Sequence, residues 1–152
     1  EKFLKLKDYS VKWEKYFPIY ENYFKKFKDQ KIIFVEIGIF NGGSLQMWKE
    51  YFGKDSKIIG IDINPECKKF ENLDKNIFVE IGNQSDEIFW KNFFNKYGNA
   101  DIILDDGGHT NLDQIITTVN AVKNINDESK EVLSVMICNR AIFEPKFITK
   151  KP

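Results

Sequence analysis

The sequence predicts an α/β fold built on a doubly wound, mostly parallel sheet. Short apolar stretches that suit buried strands alternate with amphipathic stretches that suit helices over five successive units. Glycine or acidic residues follow several of these stretches directly, as at Gly38, Asp62 and Asp105. A ligand of such a sheet binds at the carboxyl ends of the strands. With 152 residues and 42% hydrophobic content, the chain is long enough for one sizeable core.

The N-terminal part of the chain is rich in aromatic residues. Within residues 10–29 they recur at three- and four-residue steps, which predicts an amphipathic helical segment that is interrupted or restarted at Pro18. We expect its apolar face to pack on the sheet, with a lid or a dimer surface as the alternative. The predicted organisation is a helical segment over 1–30, a cofactor-binding domain over 31–137 and a divergent basic tail over 138–152.

The remaining elements follow in order along the chain. Gly53 and Gly98 are predicted to end the helices that follow the first and third strands, because glycine is favoured just past a helix end. Thr110 and Asp113 resemble a capping box that begins the helix after the fourth strand. The predicted strands are the apolar run that begins at Ile33 and residues 57–61, 76–81, 101–104 and 132–137.

The turn after the first strand predicts contact with a nucleotide-type cofactor. Its glycines allow a tight turn and a close approach of backbone to ligand. Gly38 is followed by three other residues before the next glycine, unlike the G-x-G-x-x-G turn that seats a pyrophosphate. Glu36 suits the cationic ammonium of a methionine moiety, so S-adenosylmethionine is favoured over NAD; an ordinary glycine turn is the alternative. The candidate cofactor residues here are Glu36, Gly38, Asn41, Gly42 and Gly43.

Polar residues also follow the second and third strands. Asp62 lies twenty-four residues after Gly38, close to the spacing at which an acid accepts hydrogen bonds from ribose hydroxyls. This spacing serves NAD and S-adenosylmethionine equally well. Gln84 and Ser85 lie where polar side chains suit an adenine edge, although a plain turn and helix cap explains them equally well.

A second polar cluster, Asp105-Asp106-Gly107-Gly108-His109, follows the fourth strand. Carboxylate oxygens suit Mg²⁺, which can bind a substrate hydroxyl and ease its ionisation, so Asp106 is the candidate metal ligand. His109, the single histidine of the chain, is the candidate general base. Asp105, the first acid of the cluster, is a candidate cofactor-binding residue. The alternative is a pair of helix-entry acids followed by a structural turn histidine.

Taken together, these motifs resemble the macrocin and mycinamicin type of sugar O-methyltransferase, and cephalosporin hydroxylase-like proteins share much of the pattern. The likeness covers roughly residues 12–125. It implies a class I, Rossmann-like methyltransferase that uses S-adenosylmethionine and Mg²⁺ to methylate a sugar or glycan hydroxyl. By this resemblance the cofactor would be held by Gly38, Asp62, Gln84 and Ser85, the metal by Asp106, and the proton would be removed by His109.

The C-terminal part departs from the family pattern. In the family a fifth strand ends in an acidic pair that completes the metal site, whereas Cys138-Asn139-Arg140 follows the predicted strand here. Asp106 alone would make a poor Mg²⁺ site. We therefore expect a truncated or frame-shifted end, with an unpaired sheet edge that would favour a homo-oligomer. The alternative function is a catalytically incomplete domain that binds S-adenosylmethionine or serves as an interaction module.

The amino-acid composition limits the kinds of partner that the chain is expected to bind. Twenty-three basic and twenty-three acidic residues cancel, so the chain has no net field to hold nucleic acid or an anionic membrane. No apolar run approaches the roughly 20 residues of a membrane span. Cys67 and Cys138 lack zinc-site spacing and are too few for a disulfide framework. We expect a cytoplasmic protein with a small sugar or glycan acceptor and no nucleic-acid or membrane partner.

Overall fold

The sheet has five parallel strands. The computed structural model describes residues 16–125 and the backbone of residues 134–136, so the predictions for residues 1–15 and 138–152 lie outside the described residues. The strands are β1 (Ile33–Ile37), β2 (Lys57–Asp62), β3 (Ile77–Ile81), β4 (Ile102–Asp105) and β5 (Ser134–Met136). They pair in the spatial order β3-β2-β1-β4-β5. The predicted doubly wound parallel sheet is confirmed.

Helices connect the strands and begin and end where local sequence favours it. The α-helices within residues 16–125 are α1 (Phe17–Phe24), α2 (Gly43–Phe52), α3 (Glu87–Tyr97) and α4 (Asn111–Lys123). Gly53 and Gly98 follow α2 and α3 with φ of 90° and 78°, as the sequence predicts. The capping box of Thr110 and Asp113 is present at the start of α4. Within residues 16–125, no helix is long and apolar enough to cross a membrane.

One face of the sheet is covered by α1 and α2 with an aromatic core. Trp48 of α2 is fully buried, and its ring centroid lies 4.9 Å from that of Phe34 in β1. Tyr20 of α1 packs edge-on against Trp48 at 5.2 Å and stacks on Phe24 at 5.6 Å. The described part of the N-terminal aromatic segment therefore packs on the sheet, because its buried rings lie on the face of α1 that meets β1 and α2.

The opposite face of the sheet is covered by α3 and α4. Val35 and Ile37 of β1 point to this face, since side chains alternate along a strand. Trp90 of α3 is fully buried in this layer and donates its indole N–H to the backbone carbonyl of Gln84 at 2.8 Å. The sheet is thus buried on both faces, as parallel sheets generally are.

The strand order creates a crevice at the carboxyl edge of the sheet. Strand β1 lies between β2 and β4, and Ile37 at its end is in register with Ile61 of β2 and Asp105 of β4. The helix after β1 covers one face and the helix after β4 covers the other. The loops after β1 and β4 therefore leave in opposite directions, which opens a binding crevice between them.

Candidate cofactor site

A cavity of about 480 Å³ occupies this crevice. Residues of the loops that follow β1, β2, β3 and β4 line it, together with Asp113 of α4. Small-molecule sites in proteins typically enclose about 300 to 1,000 Å³. The position and size of the cavity suit a ligand of nucleoside size.

Gly38 brings the β1 and β4 loops into direct contact. It has φ of 80°, and a Cβ atom placed on it would lie 2.4 Å from the backbone oxygen of Asp106 and 2.6 Å from the Cα of Gly107. The Gly38 N–H donates to the carbonyl of Ile61 at 2.8 Å. Glycine is needed here both for the left-handed backbone and for the close approach. Gly38 and Asp106 line the cavity together.

The next residues of the loop have different positions relative to the cavity. Asn41 is exposed and lines it. Gly42 precedes α2 with φ of 70°, and a Cβ atom on it would lie 2.3 Å from the ring of Phe70. Gly43 is the first residue of α2 and is buried. Gly42 and Gly43 shape the turn without lining the cavity.

Asp62 lies at the end of β2 and lines the cavity. Its Oδ2 accepts hydrogen bonds from the backbone amides of Ile39 at 3.0 Å and Phe40 at 3.1 Å. Its Oδ1 accepts from the amide of Asn64 at 2.9 Å. The carboxylate therefore joins the loops after β1 and β2 and is fixed in orientation beside the cavity.

Glu36 is fully buried under the first loop and does not line the cavity. Its Oε2 accepts the hydroxyl of Ser44 at 2.6 Å, and its Oε1 accepts the indole N–H of Trp48 at 3.2 Å. These contacts tie the end of β1 to α2. A direct role for Glu36 at a cofactor ammonium stays a prediction.

The Gln84 side chain lines the cavity and joins three elements behind it. Its Oε1 accepts the N–H of Gly108 at 2.6 Å. Its Nε2 lies 3.3 Å from both Asp105 carboxylate oxygens and donates to the Thr117 hydroxyl of α4 at 3.1 Å. Gln84 is only 7% exposed, so its amide holds the β4–α4 loop in place as well as forming part of the cavity wall.

Ser85 does not line the cavity, but it donates its hydroxyl to the carboxylate of Asp113, which does. Hydrogen bonds from Ser85 and Thr110 hold the pKa of Asp113 below its usual value. Neither Asp113 nor Thr117 was among the predicted site residues. The sequence signals only a helix cap at Asp113, and Thr117 lies inside an otherwise ordinary helical pattern.

Asp105 is buried at the end of β4. Burial raises its pKa to about 6, while hydrogen bonds from the Gly107 amide and from Gln84 act in the opposite direction. Asp105 lies behind the cavity wall rather than on it. This carboxyl group supports the glycine turn that follows it.

Asp106 and His109 lie on the loop after β4. Asp106 lines the cavity, and His109 is exposed beside Gly108, which also lines it. Among the residues that the structure describes, no three histidine, cysteine, aspartate or glutamate side chains come close enough to hold a metal ion. The described residues therefore do not form a complete Mg²⁺ site around Asp106.

One wall of the cavity was not anticipated from sequence. A 3-10 helix, Pro65–Phe70, follows β2 and contributes Glu66, Cys67 and Lys69 to the lining. Burial raises the pKa of the Cys67 thiol to about 11, with the nearby Asp62 acting in the same direction. A helix this short has no apolar periodicity that could predict it from sequence. The sequence features that could have indicated its start are Asn64, which caps it, and the proline that follows.

The chain resembles several known proteins in sequence. No family model matches the chain. The 8-demethyl-8-alpha-L-rhamnosyl tetracenomycin-C 2'-O-methyltransferase of Streptomyces olivaceus is 33% identical over 115 residues, which are 70% of this chain and 29% of that protein. Mycinamicin VI 2''-O-methyltransferase of Micromonospora griseorubida is 33% identical over 107 residues, 62% of this chain and 24% of that protein. The chain thus spans less than a third of the length of these relatives.

Solved structures resemble the same region. The MycE methyltransferase of the mycinamycin biosynthetic pathway, solved in complex with Mg and SAH, superimposes on this chain with a TM-score of 0.67 and 29% sequence identity. The matched region is 73% of this chain and 31% of the MycE chain. The domain has a class I methyltransferase fold. Fibrillarin of Aeropyrum pernix, solved with bound S-adenosyl-L-methionine, shares the fold with a TM-score of 0.50 and 18% sequence identity. The matched region is 67% of this chain and 44% of the fibrillarin chain. The predicted resemblance of the chain to sugar O-methyltransferases is confirmed.

Proposed function

We propose that this chain forms the S-adenosylmethionine-binding part of an O-methyltransferase that acts on a sugar hydroxyl. The observation that carries the proposal is a cavity at the carboxyl edge of a β3-β2-β1-β4-β5 sheet in a chain whose relatives are sugar O-methyltransferases. Ligands of this fold class bind at that edge. The function would thus reside in the loops that line the cavity.

The lining residues supply the groups that the cofactor needs. Gly38 allows backbone to approach the ligand closely, and Asp62 offers a ribose hydroxyl its Oδ1, which accepts one backbone amide against two at Oδ2. Asn41 and Gln84 present amide groups at other points of the wall. Because carboxylate oxygens can each accept more than one hydrogen bond, Asp62 keeps capacity for ribose beyond its three backbone donors.

A second set of predicted residues would support the site from behind. Gly42 and Gly43 form the start of α2, and Glu36 holds that helix to β1. Asp105 holds the turn at Gly107, and Ser85 holds the capping residue Asp113. We propose that these residues keep the lining residues in position.

The chemistry is the transfer of a methyl group to an oxygen. When bound, the cofactor supplies a methyl group on a cationic sulfur, so a carbon–oxygen bond forms as the carbon–sulfur bond breaks. The acceptor hydroxyl must lose its proton, and we propose that the imidazole of His109 accepts it. His109 lies at the rim beside the lining residue Gly108, where an acceptor could reach it from solvent.

No step is assigned to a metal ion. MycE was solved with Mg, but the described residues of this chain bring no group of three histidine, cysteine, aspartate or glutamate side chains together at Asp106. The predicted role of Asp106 as a metal ligand therefore stays a prediction. A carboxylate at this position can also interact with the cationic part of the cofactor through the cavity.

Calorimetric titration with S-adenosylmethionine and S-adenosylhomocysteine tests the cofactor assignment. We expect saturable binding in the unaltered chain and a loss on the order of tenfold in Asp62→Asn, which removes the charge but keeps one acceptor oxygen. Asp74→Asn is the matched control, because Asp74 lies in the 3-10 helix Leu73–Lys75 outside the cavity. Absence of binding in the unaltered chain would rule out the proposed function.

A binding-only domain is the second candidate function. It is favoured by the incomplete set of metal ligands among the described residues. Transfer of labelled methyl from S-adenosylmethionine to mycinamicin VI or to the rhamnosyl tetracenomycin discriminates the two. Product that disappears in His109→Ala while cofactor affinity is kept supports the enzyme. Cofactor binding without product from any such acceptor supports the binding-only domain.

A further inference from the structure

Phe40 is a large apolar residue that the fold leaves uncovered. It is 69% exposed and lines the cavity from the loop between β1 and α2. Within the described residues it belongs to neither of the two aromatic-rich core clusters. Its ring therefore contributes little apolar burial to folding, although single exposed apolar residues are common on protein surfaces.

The backbone of Phe40 distinguishes it from an ordinary surface residue. Its φ is 46°, a left-handed conformation that is strained for a bulky residue. It lies between Gly38 and Gly42, which have φ of 80° and 70°. At both glycines a side chain would collide, with the Asp106 backbone in one case and the Phe70 ring in the other. The loop thus contains glycine where a side chain has no room and an aromatic ring where the cavity offers space.

Hydrogen bonds hold this conformation against its strain. The N–H of Phe40 donates to Asp62 Oδ2 at 3.1 Å, and the Cys67 thiol donates to the carbonyl of Phe40 at 3.3 Å. The neighbouring amide of Ile39 donates to the same Asp62 oxygen at 3.0 Å. The backbone of Phe40 is therefore anchored to the carboxylate that we assign to the ribose, and Phe40 and Asp62 line the same cavity.

We infer that Phe40 is a ligand-contact residue whose ring packs on the ribose and the groups joined to it. This inference rests on the proposed function, because it takes Asp62 as the ribose-binding acid. Apolar surface that stays in water in the free protein would then be buried when the ligand enters the cavity, and the binding free energy gains from it. The same contact accounts for a strained aromatic residue at a position where glycine or asparagine would be easier to accommodate.

The test compares ring removal with relief of strain. Phe40→Gly and Phe40→Asn delete the ring and introduce residues that tolerate a left-handed backbone. Phe40→Tyr keeps the ring, and Ile88→Ala is the control because Ile88 is 70% exposed on α3 and does not line the cavity. Each protein is titrated with S-adenosylhomocysteine and with adenosine by calorimetry, and its melting temperature is measured.

We expect Phe40→Gly and Phe40→Asn to melt at the same temperature as the unaltered chain or higher, yet to bind both probes about tenfold more weakly. Phe40→Tyr should recover most of the lost affinity, and Ile88→Ala should lose none. Folded glycine and asparagine variants that bind S-adenosylhomocysteine as tightly as the unaltered chain would overturn the inference and leave the proposed function standing. If the unaltered chain binds neither probe, both fail together.

Discussion

At the scale of single residues, folding changes the acid–base behaviour of Asp105. Its carboxyl group is buried at the end of β4, and burial raises its pKa to about 6 from the usual 3.8. The folded protein therefore binds this proton more tightly than the unfolded chain does. The stability that comes from the protonated group is fully present below about pH 4 and is lost as the pH rises through about 6.

The substitution Asp105→Asn should remove this dependence on pH. Asparagine stays neutral and keeps an oxygen for the Gly107 amide, so its free energy of unfolding should exceed that of the unaltered chain by up to about 3 kcal/mol at neutral pH and by little near pH 4. Urea denaturation at several pH values between 4 and 7 measures the difference. Asp74→Asn serves as an exposed control. A difference that is constant over this range would show that Asp105 titrates normally in the folded protein.

At the scale of elements, the loops after β1 and β4 meet at Gly38. Gly38→Ala should destabilise the fold far more than Gly98→Ala, although the two glycines have φ of 80° and 78°. A Cβ atom at Gly98 meets nothing within 4 Å, whereas at Gly38 it meets the backbone of Asp106 at 2.4 Å. We expect about 1 kcal/mol for the backbone strain at either site and a further 1 to 3 kcal/mol, roughly, for the collision at Gly38. Chemical denaturation of both variants measures the change in the free energy of unfolding. Equal losses of stability in the two variants would mean that the loops after β1 and β4 separate easily.

The capping box of α4 is the second element with a measurable consequence. Asp113 Oδ2 accepts the Thr110 amide at 3.2 Å and the Thr110 hydroxyl at 2.7 Å. Asp113→Ala should cost about 1 to 2 kcal/mol of stability and speed amide hydrogen exchange in the preceding Gly107–His109 turn. Asn111→Ala, an exposed neighbour in the same turn, is the control. Unchanged exchange at Gly108 in Asp113→Ala would show that Gln84 alone holds that loop.

Element prediction from sequence was accurate where apolar periodicity and end signals agree. Glycine at Gly53 and Gly98 and the capping box at Thr110 placed helix ends correctly, because these signals act locally. Strand β2 was predicted over 57–61 with Asp62 closing it, and the structure includes Asp62 in the strand. The 3-10 helices after β2 were missed because one or two turns leave no periodic pattern.

The site was harder to predict because burial depends on tertiary packing. The spacing of Gly38 and Asp62 was enough to place both at one cavity, since parallel strands end at the same sheet edge. Sequence alone could not show that Glu36 faces Ser44 and Trp48, because the side of the sheet that a strand residue meets depends on which helices pack there. Nor could it find Phe40, whose left-handed backbone has no sequence signature.

At the scale of the whole molecule, one sheet is shared by two aromatic layers. Trp48 lies in the layer of α1 and α2, and Trp90 lies in the layer of α3 and α4; both are fully buried. We expect both layers to unfold in one transition, because every central strand contributes side chains to each. In a Trp13→Phe background, fluorescence of Trp48→Phe and Trp90→Phe variants reports each layer separately.

For each single-tryptophan protein, the denaturant midpoint measured by tryptophan fluorescence is compared with the midpoint measured by circular dichroism of the same variant. Coincident midpoints within each protein are the expected outcome. In the protein that keeps Trp90, a fluorescence midpoint well below the circular dichroism midpoint would indicate that the layer of α3 and α4 unfolds first. The cofactor edge would then not unfold together with the rest of the core.

The hydrogen bonds to Asp62 have a consequence for the speed and thermodynamics of ligand capture. The amides of Ile39, Phe40 and Asn64 fix the orientation of this carboxylate. A ligand arriving at the sheet edge meets an acceptor that needs no rotamer search and no loop ordering, so little conformational entropy is lost on association. Binding should then be a single fast step whose rate rises linearly with ligand concentration, without the plateau that a preceding or following loop closure would impose.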